Sequence, residues 1–320
     1  MKPLKVGVIG VGHLGSLHAR IYSELDETDL IGVADSNCER ARETASRFQC
    51  RPYDTPGELL GHVEAVSVAV PTPWHYREGL AALERGVHLL VEKPIAASLQ
   101  EADALIDAAR GKGVVLQVGH VERFSSAVRA ALEIAEDPRF VECHRLAGFS
   151  PRGSDVAVVL DLMIHDLDIV LHLIADEVDR VDAVGIPVLT EYTDIASARL
   201  EFRNGAIANL TASRVSREKM RKIRFFQSNA YVSVDCLAGK TEVFRRLAVA
   251  GAGPEGFSIE HECMGMEAKE PLKEEIRAFT RCIRDGSQPV VGGVDGRAAL
   301  ELALRVLEDI ERRRGVALKR

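Results

Sequence analysis

Three kinds of residue in this chain can do chemistry, and they lie far apart in sequence. Glycines 10, 12 and 15 stand in Gly10-Val11-Gly12-His13-Leu14-Gly15. An amine, Lys93, sits between Glu92 and Pro94. An acid and an imidazole, Asp161 and His165, are four residues apart. The glycines suit the approach of a diphosphate to backbone: Gly10 permits a tight turn, Gly12 leaves room for the pyrophosphate, and Gly15 lets a helix pack on the preceding strand. A helix starting there offers unpaired N–H groups and a partial positive charge. An imidazole, with an ordinary pKa of about 6.5, suits proton transfer near neutral pH. An ammonium group beside an oxygen that gains negative charge stabilises that charge.

The elements that must position these groups follow from the pattern. Lys5–Ile9, Leu30–Ala34, Glu64–Val70, His88–Val91 and Val114–Val118 are β-branched, strand-like runs. Between them lie helical stretches at Leu14–Leu25, Cys38–Phe48, Tyr76–Arg85 and Leu99–Lys112. Strict alternation predicts a doubly wound parallel sheet of the Rossmann type, covered on both faces. The glycine motif falls between its first strand and first helix. Asp35 ends the second strand, 20 residues beyond Gly15. A carboxylate there accepts hydrogen bonds from the adenosine ribose and repels a 2′-phosphate, which favours NAD over NADP. Capping the next helix is its competing role, for which Ser36 and Asn37 also qualify. Arg40 and Arg42 read as solvated surface charges. Pro71-Thr72-Pro73-Trp74-His75 follows the third strand, at the carboxyl edge where open α/β sheets bind ligands. Lys93 ends the fourth strand at the same edge.

The second half opens with Gly119-His120-Val121-Glu122-Arg123-Phe124, and Ser150-Pro151-Arg152-Gly153-Ser154-Asp155 precedes an apolar stretch, Val156–Asp168, that reads as one helix. Asp161 and His165 then share a helix face, and Asp168 and His172 continue the stripe. No further cluster supplies metal ligands, so no metal is expected, and Asp166, Asp168 and His172 read as local polar contacts. Strand-like runs follow at Val181–Val184, Ile195–Phe202, Ala206–Arg214, Lys222–Ser228 and Tyr231–Asp235. Asn204-Gly205 is a hairpin signal, and consecutive hairpins predict a mainly antiparallel open sheet in a C-terminal α+β domain. Helices at Leu272–Asp285 and Gly296–Arg313 end the chain. The expected division is a dinucleotide domain over 1–121 and a second domain over 122–320.

Size and composition limit the alternatives. At 320 residues the chain holds two domains without covalent staples. The six cysteines form no CxxC pair and read as reduced thiols. A net charge of −7 argues against a nucleic-acid partner. No run reaches the roughly 18 apolar residues of a membrane span, and the first residues lack a signal-peptide pattern, so a cytoplasmic location is expected.

Gly10–Gly15, Glu92-Lys93-Pro94 and the Asp161/His165 pair together resemble the glucose-fructose oxidoreductase, inositol dehydrogenase and MocA family, over essentially the whole chain. Met163 stands where many members carry glycine. Val159-Leu160-Asp161-Leu162-Met163-Ile164-His165-Asp166, with Gly119–Phe124 upstream, looks more like the branch acting on C3 of UDP-N-acetylglucosamine. The resemblance implies NAD-dependent oxidation of a secondary pyranose hydroxyl, with Lys93, Asp161 and His165 as the catalytic groups. It implies cofactor contacts from Gly10, Gly12, His13, Leu14, Gly15 and Asp35, from Val70, Pro71, Thr72 and His75, and from Glu92, Lys93 and His120. Substrate contacts are expected from Lys93, Glu122, Arg123, Arg152, Asp161 and His165, with Arg123, Arg152 and the basic run 214–224 as candidates for a diphosphate. A homodimer or homotetramer through the C-terminal sheet is implied as well. Two alternatives remain: a dehydrogenase of a free sugar or cyclitol, and a non-catalytic dinucleotide-sensing regulator.

Overall fold

A computed structural model describes residues 2–150, 153–248, 257–264 and 269–317. Two compact units make up the chain. The first contains residues 1–121 together with 270–300, and the second runs from 122 to 269 and resumes at 301.

The first unit alternates strand and helix: β1 (Leu4–Ile9), α1 (His13–Glu24), β2 (Thr28–Ala34), α2 (Cys38–Phe48), β3 (Arg51–Tyr53), α3 (Pro56–Leu60), β4 (Ala65–Val68), α4 (His75–Glu84), β5 (His88–Glu92), α5 (Leu99–Lys112) and β6 (Leu116–Gly119). All strand pairs are parallel, in the order β3-β2-β1-β4-β5-β6. Strand order reverses between β1 and β4, so a crevice opens beyond their carboxyl ends, where doubly wound sheets bind ligands. β3 and α3 were not foreseen. Three residues, two of them exposed, carry too little periodicity to announce a strand.

In the second unit come α6 (Ser126–Ile134), β7 (Phe140–Leu146), a π-helical turn (Val159–Met163), α7 (Ile164–Ile174) and strands β8 (Val178–Ile186), β9 (Ile195–Phe202), β10 (Ile207–Ser213), β11 (Met220–Gln227), β12 (Ala230–Asp235), β13 (Lys240–Ala248) and β14 (Phe257–Met264). The described strands form one sheet, β14-β13-β12-β11-β7-β10-β9-β8. β7 pairs with β10 in parallel, and the remaining pairs are antiparallel. Gly205, at φ +81°, makes the turn between β9 and β10 that Asn204-Gly205 predicted. Alternate residues of β9 to β12 (Ala198, Leu200, Leu210, Phe225 and Val232 among them) are buried on one face. On this sheet Phe140, Phe226, Tyr231, Phe244 and His261 stack in a ladder, neighbouring centroids 4.5–5.7 Å apart.

α8 (Pro271–Asp285) and α9 (Gly293–Ala317) end the chain. The expected second domain, 122–320, needs correction here. Leu272, Ile276 and Phe279 of α8 share a core cluster with Val6, Val8, Ile21 and Tyr22, and Gly292 bridges to Gln117 of β6. These apolar contacts place 270–300 in the first unit. No helix among the described residues is long and apolar enough to cross a membrane.

Candidate active site

The glycine loop is built as its spacing requires. Gly10 has φ +82°, and a Cβ there would lie 2.7 Å from Val70 Cγ1. A Cβ on Gly15 would lie 1.8 Å from the Gly10 carbonyl oxygen, so loop and helix touch at that point. Around Gly12 the situation is reversed: a Cβ would meet nothing within 4 Å. Gly12 caps α1 without a side-chain hydrogen bond, leaving the first-turn N–H groups facing an open cradle that suits a diphosphate. His13 is exposed and Leu14 half-buried at its rim.

Asp35 lies beside this loop and is not the helix cap, because Asn37 takes that role by accepting the Arg40 N–H at 3.0 Å. The Asp35 carboxylate accepts the Val11 N–H (2.7 Å), the Asn37 N–H (2.8 Å) and a two-pronged bond from Arg40 (3.1 and 2.7 Å). Burial works against its charge, but Arg40 and the two N–H groups outweigh burial and hold its pKa below the usual carboxylate value. Arg40 is exposed, as helix spacing predicts, but it is also paired with Asp35, which the spacing does not show.

Beyond β4, Val70 and Thr72 are half-buried and Pro71 is exposed, with Thr72–Trp74 forming one turn of 3₁₀ helix. His75 differs from expectation. Its ring is 1% exposed, with Nδ1 2.8 Å from the Pro94 carbonyl oxygen and Nε2 2.8 Å from that of Val70. The side chain joins two loops and has no surface left for a cofactor. Lys93 is half-buried at the end of β5, and the Lys93–Pro94 peptide is cis.

Glu92 also points inward. Its Oε1 lies 3.0 Å from His18 Nε2, His18 Nδ1 lies 3.0 Å from Ser67 Oγ, and Ser67 Oγ lies 2.9 Å from the Tyr22 hydroxyl. Gly119 makes room, since a Cβ there would sit 2.9 Å from Glu92 Oε2. Glu275 of α8 adds a second buried carboxyl group, its oxygens without hydrogen-bond partners. Burial opposes the charge on Glu92, but His18 and Lys93 outweigh it and lower its pKa, while burial and the neighbouring Glu92 push Glu275 well above the usual range. Sequence reasoning missed His18, Ser67, Tyr22 and Glu275. The signal was present: Glu275 interrupts the apolar stripe Leu272-Ile276-Phe279, and His18 and Tyr22 lie on the buried face of α1. His120 follows β6 and is fully buried.

In the second unit, Asp161 lies in the π-helical turn and His165 in the first turn of α7, so the expected single helix is broken between i→i+5 and i→i+4 hydrogen bonding. Both side chains are half-buried. Gly153, at φ +76°, abuts Asp161: a Cβ there would lie 2.7 Å from Asp161 Oδ2. Arg152, an expected substrate contact, lies outside the described residues. Arg123 is 4% exposed, with Nη1 3.5 Å from Asp168 Oδ1, so its guanidinium is engaged in the core and not presented to a diphosphate. Arg214 is likewise buried, bonded to Asp194 (2.7 Å) and to the Gly153 and Val156 carbonyls. Glu122 accepts from Arg145 at 2.6 Å, and Arg145 grips Asp166 with two bonds of 2.9 and 2.7 Å. Burial opposes the Glu122 charge, but Arg145 lowers its pKa overall. Arg145 fills a core-facing position of β7, a strand unforeseen partly because that charge hides its alternation.

Comparison with known proteins agrees with this arrangement. Residues 4–120 match the oxidoreductase family with an NAD-binding Rossmann fold, and residues 137–233 match the GFO/IDH/MocA C-terminal domain. UDP-N-acetylglucosamine 3-dehydrogenase of Acidithiobacillus ferrooxidans is 40% identical, over 96% of this chain and 97% of its own. A solved structure of that enzyme superimposes with a TM-score of 0.91 over 98% of this chain and 99% of that one, at 39% identity. Myo-inositol 2-dehydrogenase of Thermotoga maritima is 26% identical over 99% of both chains. A dinucleotide cradle, a strand-end lysine and a C-terminal domain of matching design place one protein with these sugar and cyclitol dehydrogenases: the chain belongs to the GFO/IDH/MocA family of oxidoreductases.

Proposed function

We propose that this protein oxidises the C3 hydroxyl of UDP-N-acetylglucosamine to the 3-keto sugar, using NAD. The observation that carries the reading is the 40% identity, spread over nearly the full length of both chains, with an enzyme named for that reaction. The glycine cradle supports dinucleotide binding, because only Gly12 of the three glycines has open space where a side chain would be. The bound dinucleotide supplies the hydride acceptor.

The chain's own groups manage the proton and the charge. His165 takes the hydroxyl proton as general base. Lys93 donates a hydrogen bond to the same oxygen and stabilises its developing negative charge. Asp161 orients His165 and balances the positive charge that forms. His75 holds the loop that carries Lys93, and the buried Glu92–His18 pair underlies it. Arg152 offers a cation to the substrate diphosphate, whereas Arg123 and Arg214 are engaged in the core. Asp35, beside the cradle, supports NAD over NADP. The aromatic ladder of the second unit's sheet supports self-association into a homodimer or homotetramer.

The direct test is a substrate panel. UDP-N-acetylglucosamine with NAD is expected to generate NADH absorbance, and equal concentrations of free glucose or myo-inositol are not. Turnover of inositol with none of the nucleotide sugar would overturn the assignment.

A further inference from the structure

Three metal-ligating side chains with no part in the sugar reaction meet on the paired strands β13 and β14. Glu242 lies directly opposite Cys263, and His261 and Cys263 are alternate residues of β14. Alternate residues of a strand share a face, so all three project from one side of the sheet. Glu242 Oε1 lies 3.3 Å from His261 Nε2, and Cys263 Sγ lies 3.8 Å from that same nitrogen. One ligand atom from each residue lies within 4.8 Å of the other two. Zinc bonds of about 2.0–2.1 Å to nitrogen or oxygen and about 2.3 Å to sulfur set tetrahedral ligand atoms about 3.3–3.6 Å apart. The three atoms therefore stand close to the edges of a zinc tetrahedron. Phe244 steadies the imidazole, with ring centroids 4.5 Å apart and planes only 9° from parallel. A cation already sits at this corner, since Lys240 Nζ lies 2.8 Å from Glu242 Oε1.

We propose that Glu242, His261 and Cys263 form a zinc site, in which the Lys240 ammonium stands in for the ion when no metal is bound. A thiolate, an imidazole and a carboxylate together suit zinc and disfavour magnesium or calcium, which take oxygen ligands. Three protein ligands leave the fourth position to water. Zinc binds the thiolate of Cys263, so the thiol proton passes to solvent. Lys240, left facing a dication, gives up Glu242. The ion then ties the edge strand β14 to β13 through side chains as well as through the backbone ladder. Because it binds only where the two strands pair, it stabilises that pairing. Spacing along the chain predicts no metal because it does not show that β13 and β14 lie side by side.

The test is titration of the metal-stripped full chain with Co2+ and then Zn2+, without cofactor or sugar. Wild type is expected to take up one Co2+ per chain with a thiolate-to-cobalt charge-transfer band, which Zn2+ removes by displacement. Cys263→Ser abolishes the band, and Cys38→Ser, which removes an exposed thiol of the first unit, leaves it unchanged. His261→Phe keeps a ring against Phe244 and loses the nitrogen. It and Glu242→Ala each weaken Zn2+ binding by about tenfold or more, at least the scale set by the outer-shell partners of zinc ligands. Lys240→Met tightens Zn2+ binding by about threefold or more, because a like charge leaves the site. Zinc also raises the melting temperature of wild type and not that of Cys263→Ser, which separates loss of the site from loss of the fold. Cobalt binding with no thiolate band, a band that survives Cys263→Ser, or zinc affinity unmoved by His261→Phe overturns the proposal. So does unchanged or weaker zinc binding by Lys240→Met.

Discussion

His75 lies between Pro94 and Val70: its Nδ1 is 2.8 Å from the Pro94 carbonyl oxygen while its Nε2 is 2.8 Å from that of Val70. One buried ring thus ties the loop after β4 to the loop that carries Lys93. Burial lowers the basicity of the ring more than the two carbonyls raise it. The unfolded chain takes up a proton at about pH 6.5, and the buried ring resists it until lower pH. Stability from this group is therefore present above that pH and lost as pH falls. His75→Ala should cost about 1–3 kcal/mol at neutral pH by stranding the carbonyl to which the neutral ring donates its one N–H. Calorimetry is expected to show the gap to wild type narrowing as pH drops towards about 5. A constant or widening gap would contradict the linkage.

The glycine loop separates folding from binding. Gly15→Ala drives a Cβ into the Gly10 carbonyl, a 1.8 Å approach that something must relieve. A loss of about 3 kcal/mol is expected. Gly12→Ala meets no protein atom within 4 Å and should melt like wild type. Its methyl group instead occupies the diphosphate cradle, and NADH affinity should fall about tenfold or more. Normal NADH binding by Gly12→Ala would refute the cradle.

Glu275 supplies a second pH test, of opposite sign. Burial and Glu92 raise its folded pKa, so its contribution is complete below about pH 4.3, the unfolded value, and declines as pH rises towards the folded one. Glu275→Gln keeps the shape and removes the titration. Its stability relative to wild type should improve steadily from about pH 5 to about pH 8, as followed by thermal melts. If the two melting curves stay parallel across that range, Glu275 is not held neutral.

Substitution of the proposed catalytic groups should separate chemistry from binding. Lys93→Met and His165→Ala are each expected to lower kcat by about a hundredfold or more, with NADH affinity within twofold to threefold of wild type, on the order expected for loss of an acid–base or charge-stabilising group. Near-normal turnover of either variant would remove that residue from the mechanism.

Much of the first unit was readable because its central strands are buried on both faces and two of its helices, α2 and α5, carry clear side-chain caps. Cys38–Phe48 and Leu99–Lys112 are marked by Asn37 and Ser98 at their N-termini and agree with the pattern residue for residue. β14 was not readable, since an edge strand with nearly every residue exposed has no apolar period. At the site, the glycines and Asp35 could be read from spacing alone. The inward turn of His75 and Glu92 could not, because their partners are carbonyls and a histidine contributed by distant segments. Asp35 shows the same limit: spacing found the acid, but only coordinates show Arg40 closing over it.

Transfer of the C3 hydrogen is the account's central claim, and isotope labelling tests it most directly. UDP-N-acetylglucosamine deuterated at C3, and separately at C4, would be turned over with NAD and the NADH examined by mass spectrometry. Deuterium should appear in NADH from the C3-labelled sugar and from no other. Label arriving from C4, or no turnover of either sugar, would contradict the assignment.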